Sequence, residues 1–136
     1  MKKIKIYFTS VLLLTTILFL FSGCGSKLPD SFKESDVEEQ AKQDIELAQS
    51  NQYDSWKSRF VEELQPNLTQ EIYDSYLKTL NEKGAFKGFG KCAVTGQEKD
   101  GNQYAIVLII AEYENGDLQY TISYDTQMHM IDFLIK

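Results

Sequence analysis

Few side chains in this sequence could act as a general acid or base. His129 is the only histidine among the 136 residues, and histidine is the side chain that titrates nearest to neutral pH. A carboxylate partner would have to come from Asp132, three residues further along the same predicted strand. Because successive side chains of a strand point to opposite faces, residues three apart lie on opposite sides of the sheet. The spacing therefore disfavours a His129–Asp132 dyad and predicts a partly exposed strand histidine.

The two cysteines offer thiol chemistry in different settings. Cys24 follows Ser22 and Gly23 at the end of an apolar run, where small neighbours leave its thiol open to covalent modification. Cys92 stands alone in a predicted strand, and we expect a small packed residue rather than a nucleophile. Once Cys24 is modified, no partner remains for an intramolecular disulfide. The Cys and His residues have no metal-binding spacing, so we expect neither a metal nor another cofactor.

The N-terminal stretch has the layout of a secretory signal. Three lysines precede an uncharged apolar run over residues 6–21, namely Lys2, Lys3 and Lys5. This run and the small residues after it resemble the lipobox of bacterial lipoproteins, in which the cysteine thiol receives a diacylglycerol before cleavage. The resemblance implies a lipid on Cys24, and two acyl chains hold a protein stably on a membrane.

Two interpretations of this stretch give the same topology. Cleavage before Cys24 gives a signal peptide over residues 1–23, a lipidated tether over 24–30 and a single domain over 31–136. The alternative is an uncleaved anchor, because residues 6–26 carry no charge and are long enough to span a bilayer. In both cases the lysines hold the start of the chain in the cytoplasm. We therefore expect the domain at the cell membrane, on its extracytoplasmic side.

The charge of the chain limits its partners. The whole sequence carries a formal charge of −6, and without the three signal lysines the mature chain carries −9. Nucleic acid repels such a domain, so we do not expect a nucleic-acid partner. The acidic and basic residues are interspersed, which is typical of an ordinary solvated surface.

Three helices are predicted ahead of the strands. Capping boxes at Ser31–Glu34 and Ser35–Glu38 could each open the first helix. Pro66 is expected to stop the second helix, while Thr69 should cap the third and Gly84 should end it. Apolar side chains at helical spacing mark the buried faces. They are Val37, Ala41, Ile45 and Ala48 in the first helix, Tyr53, Trp56, Phe60 and Leu64 in the second, and Tyr73, Tyr76, Leu77 and Leu80 in the third.

From residue 86 the apolar pattern changes to a period of two, which predicts strands. The strands cover residues 86–97, 104–114, 118–124 and 128–135. Asp100-Gly101 and Asn115-Gly116 tolerate the positive φ angles of type I′ turns, so each should close a hairpin. The predicted fold class is α+β, with about three N-terminal helices packed on a curved four-stranded antiparallel meander.

The two turns also predict which side chains share a face of the sheet. The face toward the helices should hold Cys92, Val94, Val107, Ile109, Ala111, Tyr113, Leu118, Tyr120, Ile122 and Tyr124. The opposite face carries three large aliphatic residues, Ile106, Leu108 and Ile110, among polar ones. We expect a second copy of the chain to cover them, giving a homodimer. The alternative is a tolerated apolar patch of modest size.

The order of these elements resembles a known superfamily. Helices followed by a curved meander resemble the nuclear transport factor 2-like (cystatin-like, or SnoaL-like) cone. More narrowly, residues 43–136 are similar to a domain of unknown function found in small lipoproteins of Gram-positive bacteria. The motifs that carry this similarity are Asn51-Gln52-Tyr53-Asp54, Phe60, Leu68-Thr69, Gly84-Ala85-Phe86, Val94-Thr95-Gly96, Tyr113-Glu114-Asn115-Gly116 and Ile131-Asp132-Phe133-Leu134-Ile135-Lys136.

The resemblance implies a place for a site but does not choose an activity. Enzymes of the superfamily hold an acid–base Asp, His or Tyr in a pocket between the helices and the sheet. The corresponding candidates are Trp56, Arg59, Tyr113, Tyr120, Tyr124 and His129. We interpret the tyrosines as pocket walls rather than as catalytic groups, and we assign no catalytic residue.

Three functions follow as expectations. We favour a non-enzymatic, membrane-anchored module that binds a ligand or another protein. The alternatives are a small SnoaL-like enzyme with isomerase- or dehydratase-type chemistry, and a structural homodimeric module of the cell envelope. An open pocket with His129 pointing inward would favour the enzyme, whereas a space filled by Trp56, Phe60 and Phe133 would favour an interaction or structural role.

Overall fold

The chain folds as helices followed by a single antiparallel sheet. The computed structural model describes residues 27–136, and the elements are α1 (Glu34–Gln49), α2 (Tyr53–Ser58), a 3₁₀ helix (Glu62–Asn67), α3 (Gln70–Lys83), β1 (Phe86–Lys99), β2 (Asn102–Tyr113), β3 (Gly116–Tyr124) and β4 (Met130–Ile135). The strands lie in the order β1-β2-β3-β4. The predicted α+β class and the meander are therefore confirmed.

The predicted signal peptide, the alternative anchor and Cys24 lie outside the described residues. Between residues 27 and 136, no helix is both long enough and apolar enough to cross a membrane.

The ends of the helices follow the sequence signals only in part. The two predicted capping boxes were wrong: α1 begins after Lys33, whose side chain makes no capping bond. The hydroxyl of Ser31 instead donates to Oε1 of Gln103 at 2.7 Å. For α3 the prediction is confirmed, because Oγ1 of Thr69 accepts the N–H of Ile72 at 3.3 Å. Gly84 follows the helix with a positive φ of 81°.

The second helix is shorter than predicted. We expected it to continue to Leu64, but α2 ends at Ser58 and the chain then meets the sheet. The N–H of Met130 donates to the carbonyl of Arg59 at 2.8 Å, and the N–H of Val61 donates to the carbonyl of Met130 at 3.0 Å. These bonds form a parallel bridge and draw the backbone out of the helix. Pro66 lies inside the following 3₁₀ helix instead of ending α2.

The first hairpin is the predicted one. Lys99 pairs with Asn102, leaving Asp100 and Gly101 as the two-residue loop. Both loop residues have positive φ angles, 53° and 78°, as a type I′ turn requires.

The second hairpin turns one residue earlier than predicted. Tyr113 pairs with Gly116, so the loop is Glu114-Asn115 and not Asn115-Gly116. The N–H of Asn115 donates to the carbonyl of Lys83 at 2.9 Å, which ties the turn to the end of α3. Because the loop lies one residue earlier, each residue of β2 pairs with a β3 residue two positions from the predicted partner. Side chains alternate between the faces of a strand, so a shift of two leaves every side chain on its predicted face.

The core lies between the helices and the inner face of the sheet. All residues of β2 and β3 that were predicted for this face are buried, and Ala105 is buried with them. The predicted residues are Val107, Ile109, Ala111, Tyr113, Leu118, Tyr120, Ile122 and Tyr124. The register of β1 against β2 shifts between Phe86 and Gly88 and again between Phe89 and Cys92. Such bulges bend a strand, which curves the sheet around the helices.

Candidate functional site

A chain of tyrosine hydroxyls crosses the interior. The hydroxyl of Tyr120 lies 2.8 Å from that of Tyr76 and 2.7 Å from that of Tyr113. Tyr113 also donates to Oε1 of Gln49 at 2.5 Å. The four side chains come from β3, α3, β2 and α1, so the chain of bonds links the helices to the sheet. Burial raises the pKa values of all three tyrosines above the usual range, and their hydroxyls stay protonated at neutral pH.

A second polar group in the interior is the carboxylate of Asp44. It is 1% exposed and accepts bonds from Nε of Arg59 at 2.7 Å and from the hydroxyl of Tyr124 at 2.7 Å. Nη2 of Arg59 donates to the same carboxylate at 3.2 Å and to the carbonyl of Met128 at 2.7 Å. The hydrogen bond that Arg59 donates to Asp44 raises the pKa of Arg59, and burial raises the pKa of Tyr124. We call Asp44, Arg59 and Tyr124 the buried ion-pair cluster.

Aromatic rings from the helices and the sheet pack against one another beside these two polar groups. The ring of Phe133 lies 5.8 Å from Trp56, 5.7 Å from Tyr76 and 5.6 Å from Tyr120. Trp56 also packs edge-on against Phe60 at 5.0 Å. These edge-to-face contacts are the favourable geometry for aromatic pairs. Among the described residues, Nε1 of Trp56 is the only buried side-chain nitrogen or oxygen atom without a hydrogen-bond partner.

His129 lies at the surface, in the connection between β3 and β4. Its side chain is 42% exposed, and its Nδ1 lies 3.9 Å from Oδ2 of Asp125. Oδ1 of Asp125 accepts the backbone N–H groups of Gln127 and His129, which fixes this loop. The acidic neighbour of His129 is thus Asp125, on the preceding turn, and not Asp132.

The six candidate pocket residues do not form one constellation. Tyr113 and Tyr120 share the tyrosine chain, and Arg59 and Tyr124 meet through Asp44. Trp56 belongs to the aromatic cluster, and His129 stands apart at the surface. These side-chain contacts connect the helices to the sheet.

Sequence reasoning missed three members of these networks, namely Asp44, Gln49 and Tyr76. For Asp44 a signal was present, because it lies three residues after Ala41 and four before Ala48 on the apolar stripe of α1. A charged residue at such a position predicts a buried partner of opposite charge.

The outer face of the sheet holds a shallow groove of about 390 Å³. Its lining consists of Lys91, Cys92, Ala93, Leu108, Ile110 and Gln119. Leu108 is 36% exposed, while Ile106 and Ile110 are half-buried beside it. The three aliphatic residues predicted for this face thus form an uncovered apolar row. Cys92 borders this groove, but it pairs with Ile109 and packs against the core, on the face predicted for it. Burial raises the pKa of its thiol, which makes this cysteine less nucleophilic.

One acidic side chain, that of Asp132, lies on the same outer face in the edge strand β4. Asp132 pairs across the strands with Ser123, which is buried. Burial raises the pKa of Asp132 to about 6. No group of three or more His, Cys, Asp or Glu side chains between residues 27 and 136 is arranged to hold a metal ion.

Comparison with known proteins assigns the family. The chain is similar to the NMR structure of a protein from Ruminococcus gnavus ATCC 29149, at 49% identity and a TM-score of 0.74. The alignment covers 80% of this chain and 96% of that one. The comparison with curated proteins found no match. A model of a protein family of unknown function, DUF3887, matches residues 41–133, so the chain belongs to the DUF3887 family.

Proposed function

We propose that this chain is a lipid-anchored extracytoplasmic protein whose domain works by surface binding. The interior supports this proposal most directly. Phe133, Trp56 and Phe60 occupy the space where enzymes of the nuclear transport factor 2-like superfamily keep a pocket. An acid–base enzyme would also need a polar side chain free to reach its substrate. Here the hydroxyls of the candidates Tyr113, Tyr120 and Tyr124 are engaged with one another, with Tyr76, with Gln49 or with Asp44.

The finer assignment to that superfamily is part of the proposal. Helices packed on a four-stranded meander support it, as does the curvature that the two bulges of β1 give the sheet. Because the superfamily contains both enzymes and binding modules, the assignment supports a fold and leaves the function to the site.

The proposed anchor is a diacylglycerol on Cys24. Its support is the order of three lysines, an uncharged run and a small-residue cysteine motif at the start of the chain. The test is metabolic labelling of the full chain with radioactive palmitate in a Gram-positive bacterium, followed by membrane fractionation. We expect label and membrane association for the parent chain. We expect Cys24→Ala to lose the label and to keep the mass of the uncleaved chain, because lipidation precedes cleavage.

Cys92→Ala is the matched control, because it removes the other thiol and should keep the label. A parent protein that carries no label and stays in the membrane at the mass of the uncleaved chain would support the uncleaved anchor instead. A parent protein without label would contradict lipidation.

The proposed binding surface is the apolar row Ile106, Leu108 and Ile110, and the proposed partner is a second copy of the chain. Two copies related by a two-fold axis would place the rows face to face and bury the exposed Leu108. A dimer of this kind needs no pocket, which agrees with the filled interior.

Light scattering after gel filtration tests the dimer, using residues 25–136. We expect a dimer for the parent and a monomer for Leu108→Glu, because a carboxylate in the centre of an apolar interface is not solvated. Ile72→Glu is the matched control, since Ile72 is also an exposed aliphatic residue, at 45%, but belongs to α3 and not to the row. A parent that is monomeric at high concentration would contradict the dimer.

A further inference from the structure

We propose that residues 27–32 are a docked strap that holds the β1–β2 hairpin end of the domain next to the membrane. The proposal rests on the proposed lipid at Cys24. It adds an orientation, with one end of the sheet facing the bilayer and the opposite end facing outward. The partner of the first end is the lipid surface.

The strap lies directly on β1 at Gly96. Gly96 is buried, and a Cβ atom at this position would lie 2.3 Å from Cδ of Pro29 and 2.6 Å from the carbonyl oxygen of Lys27. Real Cβ atoms do not approach other atoms so closely, so only glycine allows the strap to lie on β1 here. The close contacts are with a proline ring and with backbone, neither of which can move aside easily.

Other contacts hold the strap from its far end. The N–H of Phe32 donates to the carbonyl of Pro29 at 3.0 Å, which makes a turn before α1. The Phe32 side chain is 9% exposed and belongs to the core. The hydroxyl of Ser31 donates to Gln103 at 2.7 Å. Residues 27–32 are therefore part of the folded domain and not a free linker.

The contact between the strap and Gly96 lies at one end of the sheet. Gly96 pairs with Ala105, and Ala105 pairs with Tyr124, so the Asp100-Gly101 turn and the β3–β4 connection are at this end. Phe86 lies at the opposite end of β1, ten residues away from Gly96, or about 33 Å at about 3.3 Å per residue. The Glu114-Asn115 turn lies at that far end, since Phe86 pairs with Tyr113.

The length of chain before the strap limits the height of the domain. From Cys24 to Leu28 there are four residue steps, which span at most about 14 Å when fully extended. That reach is less than half of the distance from Gly96 to Phe86, so the domain cannot turn over and place the Glu114-Asn115 turn next to the bilayer. The far end, with the C-terminal ends of α1 and α3, is the end presented to the surroundings.

The test attaches the mature chain to maleimide lipids in nanodiscs through the Cys24 thiol, in a Cys92→Ser background. This attachment does not depend on biological lipidation. The nanodisc experiment therefore tests the orientation alone, and the palmitate labelling tests the proposed anchor alone. Spin-labelled headgroups broaden the amide signals of residues near the bilayer. We expect the Gly101 signal to be lost and the Asn115 signal to be retained. Equal broadening of the two signals would overturn the proposal.

Gly96→Ala tests the role of the strap itself. We expect the Phe32 amide to lose its protection from hydrogen exchange and the difference between Gly101 and Asn115 to shrink. Gly90→Ala is the matched control in the same strand, because Gly90 has no positive φ and a Cβ there would lie at an ordinary contact distance, 3.4 Å from Cβ of Ile110. A released strap with an unchanged orientation would overturn the proposal.

A second variant covers the case in which Gly96→Ala does not fold. A flexible Gly-Ser insertion between Ser26 and Lys27 leaves the strap in place and lengthens only the tether. We expect the Phe32 amide to stay protected while the Gly101 signal recovers. If Gly101 remains fully broadened, the short tether does not set the orientation, and the proposal fails.

Discussion

At the scale of single residues, the carboxylate of Asp44 is a charged group buried in the core, at 1% exposure. Taking a charge out of water is costly, and the cost is offset only when its partners are well placed. Here the partners are Arg59 and Tyr124, and they come from parts of the chain that are 15 and 80 residues away. One carboxylate therefore connects α1, the end of α2 and β3.

We predict that Asp44→Ala lowers the free energy of unfolding by about 3–5 kcal/mol, because it leaves Arg59 with an uncompensated, partly buried charge. Urea unfolding measures the loss. Glu38→Ala is the matched control, since the Lys42–Glu38 pair also lies on α1 but its side chains are 37% and 36% exposed. We expect that control to cost less than about 0.5 kcal/mol. Similar losses for the two variants would contradict the role assigned to Asp44.

At the scale of elements, the sequence predicted what local patterns determine. The period of two in residues 104–124 identified the inner face correctly, although the second turn lies one residue earlier than expected. Thr69 and Gly84 marked the ends of α3 because both signals act within one turn of the chain. The first hairpin followed from Asp100-Gly101 for the same reason.

The errors occur where distant parts of the chain compete with local signals. The pattern through Leu64 favoured a longer helix, but the bridge between Phe60 and Met130 ends α2 early. No local pattern could indicate that bridge, because its partners are 70 residues apart. The site shows the same limit: the inward tyrosines were identifiable from their strand positions, whereas their partners Gln49 and Tyr76 lie on separate helices.

At the scale of the whole molecule, the stability of the domain depends on pH through one partly buried carboxyl group, that of Asp132. The pKa of Asp132 is raised from 3.8 to about 6 by burial. The folded state thus binds this proton more tightly than the unfolded state. The contribution of Asp132 to stability falls as the pH rises from about 4 to about 6, and above that range ionised Asp132 remains a constant cost.

We predict that Asp132→Asn has little effect on stability near pH 4 and stabilises the domain by about 1–3 kcal/mol near pH 7.5. Asparagine keeps the oxygen that accepts the N–H of Phe133, so the local bond survives. Chemical unfolding at several pH values measures the difference between variant and parent. Asp117→Asn, at an exposed position, should show no such pH-dependent gain. A gain that is equal at both pH values would contradict the burial of the Asp132 charge.

Trp56 has a practical consequence that reaches beyond packing. It is the only tryptophan of the chain, it is 3% exposed, and its indole touches Phe60, Tyr73 and Phe133. Its fluorescence therefore comes from one place, where two helices meet the edge strand of the sheet. Emission from this indole should shift to longer wavelength when the helices separate from the sheet and water reaches the ring. The native protein thus carries its own optical probe of that separation, and no added dye is needed to follow it.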